Sequence, residues 1–533
     1  MNYLRREMTS NQLILLVSLF VVATGNFSFF ANVLKIYPLA SGGVAALLSL
    51  VVALYVVTVL LLAPLCIGRA TRPVLIAFLM IAALSASFMD SYGIIINHEM
   101  LRNVAQTNTD EALDLLNMRL LAYVTVLGIL PAWMIGRVKL RQQGWLRAAR
   151  LRLAMTGLAL LVLTAVVLTF GSFYASFLRE HKPLRSFANP AYPVYAFFKF
   201  AGGLITQRND GKVTAIGLDA RIPSTDKHRE LIILVVGETA RADHFSLNGY
   251  PRETNPQLRH LDVINLENFS ACGTSTAVSV PCMFSLHGSS RNSDGLEGLL
   301  DVVQRAGVNV LWLDNNSDSK GAALRVPYID YKTSAVNPVC DVECRDEGML
   351  SPLQKYIDSH PAGDILIVLH QMGNHGPAYY KRYPPAFEQF TPVCRSNDLS
   401  QCSTAEIVNA YDNAILYTDN FLAKVIDLLK SYDGFEAAMF YVSDHGESLG
   451  EGGTYLHGLP RAIAPEAQLR VPAILWFGAS FDELDRPALL KKRASSFSHD
   501  NLFHTILGFF EIDATIYRPD LDILDGCRRP EKD

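Results

Sequence analysis

Five apolar stretches crowd into the first third of the chain, at 12–32, 43–67, 74–92, 120–136 and 153–177. Each approaches or exceeds the roughly 20 residues a helix needs to cross a bilayer core. In lipid every backbone polar group must be satisfied internally, which leaves a helical anchor as the natural reading. The first stretch lacks a small-residue cleavage site and more spans follow it, so it reads as an anchor and not a removable signal. Loop charge sets the orientation. Alternate loops carry Arg5 and Arg6, then Arg69 and Arg72, then Arg137, Lys139, Arg141, Arg147, Arg150 and Arg152, against only Lys35, Arg102 and Arg119 on the other side. Five spans with the N-terminus inside deliver the rest of the chain outside: in a bacterium, the periplasmic face of the inner membrane.

Charge divides the 533 residues in the same way. Residues 1–178 hold 13 Lys and Arg against 6 Asp and Glu, and residues 179–533 hold 34 against 45. The expected organisation is a five-helix transmembrane domain over 1–178, an interfacial helix and linker over 179–230, and a periplasmic catalytic domain over 231–533. The acidic soluble part gives no reason to expect nucleic acid as a partner; membrane lipids are the expected neighbours. The loop Asn97–Met118 is polar, and Asn103, Thr107 and Glu111 recur every four residues, one face of a helix. That face suits either a solvated helix resting on the bilayer or a grip for a lipid headgroup.

From Leu231 short apolar runs alternate with amphipathic segments. Residues 231–238, 308–316, 364–371, 437–447 and 471–477 read as buried strands, with helical patterns clearest over 405–429 and 500–510. This alternation predicts an α/β domain around a mostly parallel sheet. Six of the eight cysteines form local pairs, Cys272/Cys282, Cys340/Cys344 and Cys394/Cys402. No CxxC supports structural zinc, so three disulfides are expected in an oxidising compartment, with Cys66 and Cys527 unpaired.

Polar residues of hydrolase type gather just past the apolar runs: Glu238, Thr276, His370 and His375, Asp444 and His445, and His457. Taken singly, a strand-terminal Glu is a cap partner or a surface charge, and a lone His is a hydrogen-bonded bystander. Four such segments at one sheet edge, where open α/β sheets bind ligands, instead suggest a zinc set of carboxylates and imidazole with one position open. A threonine hydroxyl becomes a nucleophile only when a base or metal activates it. Thr276 lies in a small, polar segment pinned by Cys272 and Cys282, a strand-to-helix corner suited to anions. Spacing alone leaves Thr274, Ser275 and Ser279 as rivals.

The segments GETARADHFSLNGYPRETNPQL, CGTSTAVSVPCMFS, DNNSDSKG, HQMGNHGPAYYKRY, NAYDNAILYTD and YVSDHGESLGEGGTYLHG resemble the lipid A phosphoethanolamine transferases, including the mobile colistin-resistance enzymes. The resemblance covers nearly all of 231–478 and extends to the five-span anchor. It implies an alkaline-phosphatase/sulfatase-like catalytic domain with zinc on Glu238, Thr276, Asp444 and His445, and Thr276 as nucleophile. It places headgroup and accessory-metal contacts on Asn316, Lys320, His375 and His457, and a supporting role on His370. The proton shuttle would be His375 or His457. Donor-lipid contacts would fall on Asn103, Thr107 and Glu111. The implied reaction moves phosphoethanolamine from phosphatidylethanolamine to a phosphate of lipid A, by a monomer with one tight zinc site and room for a second, weaker one. Other acceptors (a core heptose, a Kdo sugar, a periplasmic glucan), a phosphoglycerol transferase and a catalytically silent binding domain are the alternatives.

Overall fold

The computed structural model describes residues 7–39, 43–107, 109–141, 143–179, 181–207, 213–224, 226–290, 295–481 and 484–529. The chain divides into two compact units, Met1–Leu101 with Leu116–Gly203, and Arg102–Leu115 with Leu204–Asp533. A short piece of the loop after the third span thus folds with the second unit, and the expected linker is shared between the two.

Helices dominate the first unit. Val44–Leu62, Gly68–Tyr92, Met118–Arg137 and Trp145–Thr169 are each long and apolar enough to cross a membrane. Ser10–Thr24 and Phe27–Ile36 form a pair bent by 55°, which makes a fifth span when counted as one. Two buried asparagines explain how the bend is tolerated. Asn26 Nδ2 donates to the Val21 and Asn189 carbonyls, at 3.1 and 2.9 Å, and Asn189 Nδ2 donates to those of Gly25 and Ala82, both at 2.8 Å. Carbonyls at the break therefore find donors inside the protein, as an apolar surrounding requires. The last span starts at Trp145, earlier than expected, because Arg152 lies within its first turns and its Nε donates to Asn11 Oδ1 at 2.7 Å. The helix Ala191–Gln207 carries exposed Tyr195, Phe197 and Phe198, an aromatic surface suited to headgroup depth.

The second unit is built on a seven-stranded sheet. In chain order its strands are β1 (Glu230–Gly237), β2 (Val263–Asn265), β3 (Asn309–Asp314), β4 (Tyr328–Asp330), β5 (Ile365–His370), β6 (Glu436–Ser443) and β7 (Ala473–Phe477), in spatial order β2-β7-β6-β1-β5-β3-β4. From β6 to β4 all pairings are parallel; β7 runs antiparallel to β6 and β2. Every residue of β1, β5 and β6 is buried, so both faces are covered and the strands read as continuous apolar runs. The two edge strands that the sequence reading omits, β2 and β4, have three residues each, too few to show a period.

The register decides where the chemistry lies. Gly237 pairs with Ser443, Val236 with His370 and Asp314 with His370. Four parallel strands therefore end at one level, and the residues that follow them meet at one edge. The disulfides are Cys272–Cys282, Cys340–Cys344 and Cys394–Cys402, with Cys66 and Cys527 free and buried.

Candidate metal centre and active site

Glu238 follows β1 and Asp444 and His445 follow β6, and all three side chains are fully buried. Their ligand atoms lie within 4.8 Å of one another. Thr276 opens the helix Thr276–Met283 and aims its hydroxyl into this group, 3.0 Å from Glu238 Oε2 and 3.3 Å from His445 Nε2. Of the rival hydroxyls, Thr274 Oγ1 donates to the Leu459 carbonyl at 2.7 Å, and Ser279 Oγ is buried without a partner.

The proton inventory shows what the cluster fits. His445 Nδ1 lies 2.9 Å from the Gly446 carbonyl, which can only accept, so that nitrogen carries the hydrogen. Nε2 then presents a lone pair to Asp444 Oδ2 at 3.3 Å and Glu238 Oε1 at 3.5 Å. Two carboxylates and an imidazole lone pair converge here and would repel one another, and a divalent cation removes the conflict. Burial pushes the Asp444 carboxyl up to about 6 despite the nearby His370, and burial and His457 hold His445 well below its usual range. A neutral imidazole is the form that ligates.

Local packing fixes the ligands. Asp444 Oδ1 accepts from the Thr239 and His445 amides, at 3.2 and 2.7 Å. Asn316 Nδ2 donates to Glu238 Oε2 and the Gln371 carbonyl, both at 2.7 Å. Asn316 is thus engaged on Glu238. His370 Nδ1 lies 2.9 Å from Asp314 Oδ2, beneath the site; burial would raise that carboxyl, but His370 outweighs it and holds it below the usual range. Gly373, at φ +50°, passes so close to the Glu238 backbone that a Cβ would stand 2.9 Å from its carbonyl oxygen.

Two further histidines line the outer side. The His457 ring lies 4.3 Å from that of His445 and 5.9 Å from that of His375. His457 Nδ1 sits 3.3 Å from Glu447 Oε2, a fully buried carboxylate. Burial, with Arg382 and His457 close by, holds His375 well below its ordinary value. Lys320 Nζ donates to the Ser317 carbonyl at 2.6 Å and the Gln106 carbonyl at 3.1 Å. The second of these contacts brings Lys320 to the segment that carries Asn103 and Thr107. Thr107 Oγ1 turns back to the Asn103 carbonyl at 2.8 Å, and the Glu111 side chain lies outside the described residues. Glu447 and Asp314 belong to the site although the sequence does not single them out within YVSDHGESLGEGGTYLHG and DNNSDSKG. Charged residues beside stronger candidates gave no separate signal.

A sulfatase family model matches residues 230–512, and one for the phosphoethanolamine transferases EptA/EptB matches 54–203. Over 530 residues the chain is 41% identical to phosphatidylethanolamine transferase Mcr-1 of Escherichia coli, covering 96% of each. The chain belongs to the phosphoethanolamine transferase family. It is also 40% identical to phosphoethanolamine transferase EptA of Salmonella typhimurium over 532 residues, covering 97% of this chain and 96% of that one. The integral membrane lipooligosaccharide phosphoethanolamine transferase A of Neisseria meningitidis shares its fold with a TM-score of 0.94 at 35% identity, over 98% of this chain and 100% of that one. As a member of this family the chain is a membrane-anchored transferase with its sulfatase-like unit on the periplasmic side, and Glu238, Asp444 and His445 are its candidate metal triad.

Proposed function

We propose that this transferase moves phosphoethanolamine from phosphatidylethanolamine to a phosphate of lipid A, through a covalent phosphoethanolamine-threonine on Thr276. The observation that carries the reading is the Thr276 hydroxyl held 3.0 Å from Glu238 and 3.3 Å from His445. The donor set of two carboxylates, one imidazole and one hydroxyl fits zinc, which when bound lowers the hydroxyl pKa and offsets charge on phosphoryl oxygens. Glu238, Thr276, Asp444 and His445 would hold it, and His375 and His457 would take a weaker second ion.

In this scheme Thr276 Oγ forms a bond to the donor phosphorus, the bond to diacylglycerol breaks, and the proton that Thr276 gives up is relayed to the departing oxygen by His457, held by Glu447, or by His375. In the second half an acceptor phosphate oxygen bonds to phosphorus, the bond to Thr276 Oγ breaks, and a proton returns to that oxygen through the same histidine. Lys320 faces the phosphate, Asn316 keeps Glu238 in place, and Asn103, Thr107 and Glu111 meet the donor lipid. The Lys320–Gln106 contact supports that last assignment. All these residues come from one chain, so a monomer suffices. The added ammonium offsets surface negative charge and weakens attraction for cationic peptides such as polymyxins.

Incubation with phosphatidylethanolamine and no acceptor should leave a phosphoethanolamine mass on the peptide containing Thr276. Thr276→Ala should fold, retain the metal on three ligands and transfer nothing, whereas Thr276→Ser should retain partial activity. A modification on Thr274, Ser275 or Ser279 would overturn the nucleophile. Lipid A unchanged in cells that express the protein, with altered core or glucan, would overturn the acceptor.

A further inference from the structure

The segment Arg102–Leu115 folds with the catalytic unit, and one side chain fastens its end. Asp114 gives one carboxylate oxygen to Lys381 Nζ and the other to Arg382 Nη2, the latter at 2.9 Å. Its backbone carbonyl accepts from Asn397 Nδ2 at 2.8 Å. The Asp114 side chain is 13% exposed and that of Arg382 only 3%, so this is no solvent-screened surface pair of small worth. Charge-assisted bonds to a guanidinium that is barely hydrated are among the strong, geometrically specific kind.

Arg382 is what makes the latch more than local. Its Nη1 meets Glu343, and its Nε donates to the His375 carbonyl at 2.6 Å. One planar group therefore links the anchor's periplasmic loop to the main chain of a residue at the active-site rim. A cleft of about 550 Å³ opens beside this junction, lined by Leu113, Asp114, Lys332, Glu343, Met372 and Arg382 among others. Its lining carries three cations, Lys332, Lys381 and Arg382, matched by Asp114, Asp341 and Glu343. At the other end of the segment, the Gln106 carbonyl is taken by Lys320.

We propose that Asp114 is a positioning residue that acts through Arg382: it seats the Arg102–Leu115 segment and at the same time fixes the backbone of His375. The proposal rests on the phosphoethanolamine-transfer reading, in which His375 faces the substrate. Seating of the donor-lipid loop and placement of the histidine are then coupled, because both use the same guanidinium. Displacement of about 1 Å near reacting groups can cost on the order of 100-fold in rate, so the effect on turnover should be large.

The test uses the full chain in detergent with phosphatidylethanolamine as donor, following diacylglycerol release and the mass added to Thr276. Asp114→Asn should lower kcat roughly 10- to 100-fold with metal content and disulfides retained, and Asp114→Glu should recover most of the loss. The discriminating readout is the combination with His375→Ala. If Asp114 works through His375, the double variant should be about as slow as His375→Ala alone, whereas a general packing defect would multiply the two losses. Arg382→Lys carries the same test if Asp114→Asn fails to accumulate, since lysine cannot hold Asp114, Glu343 and the His375 carbonyl together; it too should be slow and non-additive with His375→Ala. Turnover within twofold of wild type, or multiplying losses, would overturn the proposal while leaving the transfer reading intact. No transfer by the wild-type protein would instead strike the functional reading itself.

Discussion

His499 shows how one buried side chain ties stability to pH. Its Nδ1 accepts the Cys272 amide at 3.1 Å, and its Nε2 donates to the Ser443 carbonyl at 2.9 Å, so a second proton would break the first bond. Burial lowers its pKa from 6.5 to about 4. The folded state therefore favours the neutral ring: the contribution is complete above pH 6.5 and is lost as pH falls towards 4, by up to about 3 kcal/mol. Melting temperature should fall across that interval, and His499→Gln, which can keep one donor and one acceptor, should flatten the acid side of the curve. An unchanged slope would count against the assignment. Acidification should thereby loosen the Cys272 corner that holds Thr276.

At the scale of elements, the turn after β5 does for Glu238 what no ligand does for itself. Asp346, buried, accepts from the Met372 and Gly373 amides at 2.8 and 3.1 Å and from Asn315 Nδ2 at 2.8 Å. This holds Gly373 in the left-handed region against the Glu238 backbone. Gly373→Ala should cost about 2 kcal/mol, from the strained φ and the backbone contact together, and should weaken metal retention, measurable by metal content after dialysis. Much of this architecture was legible from residues alone. The apolar runs of β1, β3, β5, β6 and β7 and the residues just past them announced both the sheet and its chemical edge, because burial on both faces leaves a plain signature. Asp114, Asp346 and Glu447 were not legible. Their roles depend on which backbone amides and charges the turns bring to them, and local pattern does not encode that. The bend after Thr24 was hidden for a related reason, since Asn189, which satisfies it, lies 163 residues beyond Asn26.

For the whole molecule, orientation rests on ten Lys and Arg in the expected inner loops against three outside. A reporter active only in the periplasm, fused after Asp533, should be active; a silent one would reverse the topology. The triad has a further consequence for how the enzyme matures. Glu238 and Thr276 lie 38 residues apart, but His445 lies another 169 beyond Thr276; the pairing of β1 with β6 brings Glu238 beside His445, and the helix Thr276–Met283 adds the hydroxyl. The disulfides close over separations of only 10, 4 and 8 residues, so they can form on short exported stretches. The metal pocket does not exist until β6 has paired with β1. The disulfides can therefore close before the metal pocket forms, and the ion must be drawn from the compartment in which β6 docks against β1.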